Sequence, residues 1–363
     1  MKGFPQRPII SPLLLALLLA ACSRPEPEVL VIELPRIAAQ LHVAPSVQDT
    51  AGPALIAARD QLLHTLNALD ETRPDSEIAR INRTAGSVRL PISRNTFRLL
   101  DLGHYYSRLT DGLYDYTMGP VANLWGFKQP APPANPPSEV VLFERLEATG
   151  MRHIQIFTDG AIAMTSPQVR IELGAIREAY AVDLAIVELR RQGYSRLFLH
   201  AGRAARQLDT PDPAHPWIHP IVTTDGLHLG DLRIPEAHPA LAWQSLHDET
   251  LLLAGQTISG LINPRTGRPA DQGAFALAAS TTSTRAMILA QVALIAGPDR
   301  TSSLFPLFDG VELLYLPLDP REPLRITPAL RPYFKPSASL NRPIQTWEPH
   351  REPTPSPEPD PSI

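Results

Sequence analysis

Val169-Arg170-Ile171-Glu172-Leu173-Gly174-Ala175-Ile176-Arg177-Glu178-Ala179-Tyr180-Ala181-Val182-Asp183 divides into two halves at a glycine. Val169–Leu173 reads as a short strand, and from about Ile176 to Arg191 apolar residues recur at helical spacing, so the second half opens a long helix. Working outward, the same periodicity predicts helices near 53–69, 94–109, 139–149 and 284–296, the last ended by Gly297-Pro298. Short strands are predicted at Val29–Leu34, His153–Phe157, Arg196–His200, Ile218–Val222 and Thr250–Leu253. The layout is α+β (mixed α/β), with sheets packed against helices in one or two lobes.

The chain has 363 residues, enough for a stable core without disulfides. Its 33 basic and 37 acidic side chains give a net charge of −4, which argues against a nucleic-acid partner. Only Lys2, Lys128 and Lys335 are lysines, so arginine in place of lysine carries little meaning here. The 40 prolines exceed the ordinary ~5% share about twofold. Pro130, Pro132, Pro133, Pro136 and Pro137 mark a surface loop, and the stretch Pro336–Ile363 lacks apolar periodicity and reads as a disordered tail whose removal should cost little stability.

At the N-terminus, Lys2 and Arg7 precede an apolar run from Ile9 to Ala21, too short for the ~20 residues that span a bilayer but right for a secretory signal. The run ends Leu19-Ala20-Ala21-Cys22, and Cys22 is the sole cysteine, so no intrachain disulfide can form. The arrangement resembles a bacterial lipobox, in which the cysteine is acylated and the preceding peptide removed. Two or three acyl chains anchor a protein stably. The expected organisation is a signal peptide (1–21), a tether (22–28), a globular body (29–335) and the tail (336–363), with the body facing the periplasm; whether the inner or the outer membrane holds the anchor stays open.

Asp111-Gly112-Leu113-Tyr114-Asp115-Tyr116-Thr117-Met118-Gly119-Pro120, followed by Leu124-Trp125-Gly126-Phe127, is dense in glycine and aromatic residues. Such a segment suits a wall where backbone approaches a flat ligand, although a helix-end turn with core aromatics has the same composition. Upstream stands Ser76-Glu77-Ile78-Ala79-Arg80-Ile81-Asn82; downstream stand Glu172–Asp183 and Asn263-Pro264-Arg265-Thr266-Gly267-Arg268-Pro269. These four blocks, in this order, resemble the ApbE family of FAD:protein FMN transferases over roughly Leu55 to Gly297.

The resemblance implies FAD and Mg2+ as cofactors and transfer of FMN to a threonine or serine of a flavin-acceptor protein, with release of AMP. Transferred by motif, Leu113, Tyr114 and Asp115 contact FAD, Glu178 lines the flavin site, Ile262 touches the flavin through its backbone, and Ala175 offers a backbone carbonyl to the metal. The remaining metal ligands of the family, an aspartate and a threonine, fall on Met287 and Gln291. A thioether cannot replace a carboxylate toward a hard cation. Further departures are Thr72 for an aromatic, Gly260 for a histidine, Asn263 for an aspartate, Ala242-Trp243-Gln244-Ser245 for a T-S-G loop, and His200-Ala201-Gly202-Arg203 for a G-G-D segment. The resemblance therefore admits two functions: a transferase with an atypical metal site, or a catalytically silent flavin- or flavoprotein-binding lipoprotein.

Other chemistry is sparse. His215 and His219 bracket Pro216-Trp217 and read as a surface turn entering a strand rather than a metal pair, since proline prevents the helix that would align them. No phosphate-binding loop, G-x-S-x-G elbow or catalytic cysteine is present. The lipobox reading makes a direct prediction: Cys22→Ala leaves the protein unacylated and in the soluble periplasmic fraction, and retention of that variant in membranes after fractionation would contradict it.

Overall fold

The computed structural model describes residues 27–35, 37–86, 89–209 and 216–348; the signal-peptide and Cys22 readings lie outside the described residues. In chain order, β1 (Glu28–Leu34) and β2 (Ile37–Val43) are followed by α1 (Ala51–Ala68) and α2 (Glu77–Arg83). Then come β3 (Leu90–Pro91), α3 (Arg94–Leu109), α4 (Gly119–Leu124), α5 (Glu139–Ala148), β4 (Ile154–Phe157), β5 (Ala161–Met164) and α6 (Ala175–Arg191). Strands β6 (Leu197–Ala201), β7 (Ala204–Leu208), β8 (Ile218–Val222), β9 (His228–Arg233) and β10 (Ala240–Ser245) lead to the hairpin β11 (Thr250–Leu253) and β12 (Gln256–Ser259). Strand β13 (Gly273–Ser280), α7 (Ser283–Leu304), β14 (Glu312–Pro317), β15 (Leu324–Ile326), β16 (Phe334–Pro336) and β17 (Ile344–Thr346) complete the chain.

Nine strands form one sheet in the order β1-β2-β6-β7-β10-β13-β14-β15-β17. Its neighbours are antiparallel except β15 and β17. Side chains alternate across it with period two, as a pleated strand requires. Leu41, Leu199, Ala242, Ala276 and Leu313 face a core shared with α1, α6 and α7. Phe198, Leu241, Phe275, Leu277 and Leu314 face the other way, into a second core covered by the sheet β16-β9-β8. A third, smaller core joins Met118, Val121, Trp125 and Phe127 to Leu142, Leu253 and Ile262.

The helices begin where a side chain satisfies the first free amides. Ser76, Ser93, Ser138 and Thr282 accept from Ala79, Thr96, Val141 and Arg285 and start α2, α3, α5 and α7. The mixed α/β class and all five expected helices are present. Gly297-Pro298 does not end the last one: Gly297 takes φ 72°, Pro298 follows, and the helix resumes to Leu304. Residues 169–173 also differ from expectation, since they form no strand. Ile171 bonds through both its N–H and C=O to the Asn82 carboxamide (2.8 and 2.9 Å), and the Glu172 N–H donates to the Tyr116 carbonyl at 2.8 Å. With those groups occupied, no ladder partner is needed.

The expected disordered tail is corrected as far as residue 348. β17 runs parallel to β15, and Trp347 is 7% exposed, its indole N–H donating to Ser302 Oγ at 2.7 Å and its ring 5.9 Å from that of Tyr315. Three residues of ladder and one large side chain dock the segment, a scale too short for periodicity to reveal. Trp347→Ala should therefore destabilise the chain by about 3 kcal/mol in urea unfolding; a change below ~0.5 kcal/mol would show the docking to be energetically idle.

Candidate active site

Block by block, the motif residues act on backbone. The Asn82 carboxamide fixes Ile171, just before the turn into α6. Glu77 bonds the Ser93 N–H and hydroxyl (2.7 and 2.6 Å) and the Thr96 hydroxyl, tying α2 to the start of α3. The Trp125 indole donates to the Gly267 carbonyl at 2.7 Å, joining the L-W-G-F block to the turn at 263–269. Asp183, on α6, accepts from the Ser283 and Thr284 N–H groups (both 2.9 Å), the Thr284 hydroxyl (2.6 Å) and Arg206 (2.8 Å). One buried carboxylate thus caps the N-terminus of α7, where the helix dipole favours it, and locks α7 beside α6.

Between these elements lies a cleft of about 160 Å³. Leu113, Tyr114, Asp115, Ala175, Ile262 and Gln291 all line it, so six of the eight body positions singled out from sequence converge. Leu113 and Tyr114 are buried in the main core, so the wall they give is largely backbone. Gly174, at φ 53°, turns the chain into α6, whose N-terminus opens on the cleft. Asp115 is spent on structure: it accepts from the Thr117 N–H and hydroxyl (2.7 and 2.6 Å) and the Met151 N–H (3.2 Å). Burial holds its pKa above the ordinary carboxylate value, against the pull of those bonds. Burial likewise raises Glu172 despite its ion pair with Lys128.

Glu178 and Met287 do not line the cleft. Glu178 turns to Arg203, accepting the Arg203 backbone N–H at 3.1 Å and standing 3.4 Å from its guanidinium. The same guanidinium reaches Asp248 at 3.3 Å and the Gln244 carboxamide at 3.5 Å. Burial works against the Arg203 charge, but Glu178 and Asp248 more than offset it and raise its pKa further. Sequence reading flagged Arg203 and Gln244 only as departures and missed Asp248, which sits between recognisable blocks with no motif of its own. Glu249, also missed, lines the cleft opposite Gly260: a Cβ at Gly260 would lie 2.8 Å from its carboxylate, so the absent side chain is what admits Glu249.

The residues present do not fit a magnesium ion. Met287 is 0% exposed within the apolar core, and Gln291 offers one neutral amide. Asp115, Glu172 and Glu178 are each committed to protein partners, which leaves Glu249 a single carboxylate opposite Gly260. Among the described residues no group of three or more histidine, cysteine or carboxylate side chains is placed to hold a metal. Magnesium surrenders its waters reluctantly and demands an oxygen octahedron.

Fold and cleft together define a mixed α/β scaffold built around one cleft between α6, α7 and the motif loops. Residues 37–314 match the model of the ApbE family, and the chain belongs to that family. It is 27% identical over 260 residues to the FAD:protein FMN transferase of Vibrio cholerae, covering 70% of this chain and 76% of that protein. The FAD:protein FMN transferase of Escherichia coli K12 is 26% identical over 216 residues, 58% of this chain and 60% of the relative. Among solved structures, the Thermotoga maritima ApbE protein superposes with a TM-score of 0.74 at 19% identity, over 85% of this chain and 100% of that one. The flavin transferase ApbE from Vibrio cholerae gives 0.70 at 22% identity, over 85% and 99%.

Because Asp183 satisfies two helix amides, a hydroxyl and an arginine at once, Asp183→Ala should cost about 3 kcal/mol or more by denaturant unfolding. A loss under ~1 kcal/mol would mean that the α6 to α7 packing stands without it.

Proposed function

We propose that this chain is a lipid-anchored member of the FAD:protein FMN transferase family that holds a flavin in the family's cleft without magnesium-dependent transfer. The observation that carries the reading is the sealing of Met287 in the core, at 0% exposure, where the family supplies a carboxylate, while the backbone walls of the cleft are retained. Leu113, Tyr114, Gly174 and Ile262 supply surfaces that a flat ring can approach. The N-terminus of α6 supplies positive potential toward phosphate groups. Acylation at Cys22 places the body on the periplasmic face of a membrane, within reach of a flavin-acceptor protein of a membrane redox complex.

A second reading, transfer of FMN from FAD to a threonine or serine of that partner with release of AMP, draws on the convergence of Leu113, Asp115, Ala175, Ile262 and Gln291 on one cleft and on the activity of the relatives. Titrating the full chain with FAD, with and without magnesium, while assaying AMP, separates the two. We expect flavin binding that magnesium changes less than ~twofold and no AMP. Magnesium-dependent affinity or AMP release would establish the transferase and require an ion held by groups other than Met287.

A further inference from the structure

A second cavity, of about 330 Å³, lies on the opposite face of the nine-stranded sheet, between β2, β6, β10 and β13 on one side and β8 on the other. It exceeds the flavin-family cleft in volume and falls at the lower end of the ~300–1,000 Å³ usual for small-molecule sites. Its walls are aromatic rings. Trp243 stacks on His200 (centroids 5.5 Å, 24°) and lies 4.8 Å from His219, and His42 packs edge-on against Phe198 at 5.3 Å. His219, expected in a surface turn, is instead 8% exposed inside β8.

The polar groups here are unusual for being unused. His200 has a partner, its Nε2 lying 3.0 Å from the Gly202 carbonyl. Neither imidazole of His42 and His219 has a hydrogen-bond partner among the described residues, although His219 is more than nine-tenths buried and both line the cavity. A largely buried polar ring is ordinarily paired within the protein, and these two open onto the cavity instead. Burial, followed by the neighbouring imidazoles, lowers His42 to a pKa of about 4 and His219 to about 3, so both rings are neutral at pH 7. Each neutral ring offers one N–H donor and one lone pair. Trp243 adds a face for stacking, and the exposed Ile218 and Val222 of β8 form an apolar lip.

We propose that this cavity is a second ligand site, taking a flat, uncharged ring compound with carbonyl groups on its edge, which stacks on Trp243 and accepts hydrogen bonds from His42 and His219. An anion finds no positive charge among these neutral rings, and no metal-binding group of three or more such side chains exists among the described residues. A carbonyl-bearing ring satisfies the imidazole donors and the apolar walls together. The site is independent of the flavin-family cleft: β10 presents Trp243 to this cavity and Gln244 to the other, on opposite faces of one strand.

Menadione, an uncharged two-ring quinone, is the probe, and its binding to the full chain is followed by saturation-transfer NMR and calorimetry. The expected result is saturable binding that Trp243→Ala and His219→Phe each weaken about tenfold or more. Both variants should keep the wild-type far-UV circular dichroism and a cooperative unfolding transition, and Gln291→Ala in the other cleft should bind menadione as the wild type does. No saturable binding at millimolar probe, or binding that neither cavity variant alters, would overturn the proposal; loss of binding in Gln291→Ala alone would assign the ligand to the other cleft and overturn it equally.

Discussion

The Asp183 carboxylate accepts four hydrogen bonds from two separate elements, α7 and β7, and the site's geometry depends on it. Through Ser283 and Thr284 it sets the start of α7; through its own place on α6 it fixes the distance from that helix to the nine-stranded sheet; through Arg206 it engages β7. Ala175 and Gln291, on different helices and more than a hundred residues apart, line one cleft because this clamp holds their helices together. A buried carboxylate is tolerable only when fully paired, so the arrangement cannot relax by small steps.

The same logic explains which family residues persist. The Asn82, Glu77, Trp125 and Asp183 side chains bond backbone groups or helix starts, and exchanging any of them leaves those partners unpaired. Met287, Gln291 and Gly260 carry no such obligation. At Met287 an apolar side chain completes the main core, and at Gly260 the missing side chain leaves room for the Glu249 carboxylate. Arg203 then binds Glu178 and Asp248 into an ion-paired cluster at the cleft wall. Fold and cleft chemistry thus rest on largely different residues.

Much of this was legible in the sequence. Long periodic helices announced themselves, and six of the positions drawn from the resemblance line one cleft. Elements defined by a partner distant in sequence did not. Residues 169–173 have a strand's composition, yet their backbone bonds go to a side chain 89 positions away. The segment 337–348 has a tail's composition, yet Trp347 finds a pocket beside Ser302. The motif puts Glu178 in the flavin site, but its geometry is decided by Arg203 in the β6–β7 turn, and the sequence reads His219 as surface because burial between two sheets leaves no local pattern.

The central claim is that the scaffold survives while its metal site does not. A crystal of the full chain grown with FAD and manganese, a magnesium substitute with a strong anomalous signal, tests it most directly. The account predicts no anomalous peak between the Ala175 carbonyl and Gln291, with Met287 packed in the core. A peak there, ligated by protein oxygens, would contradict it.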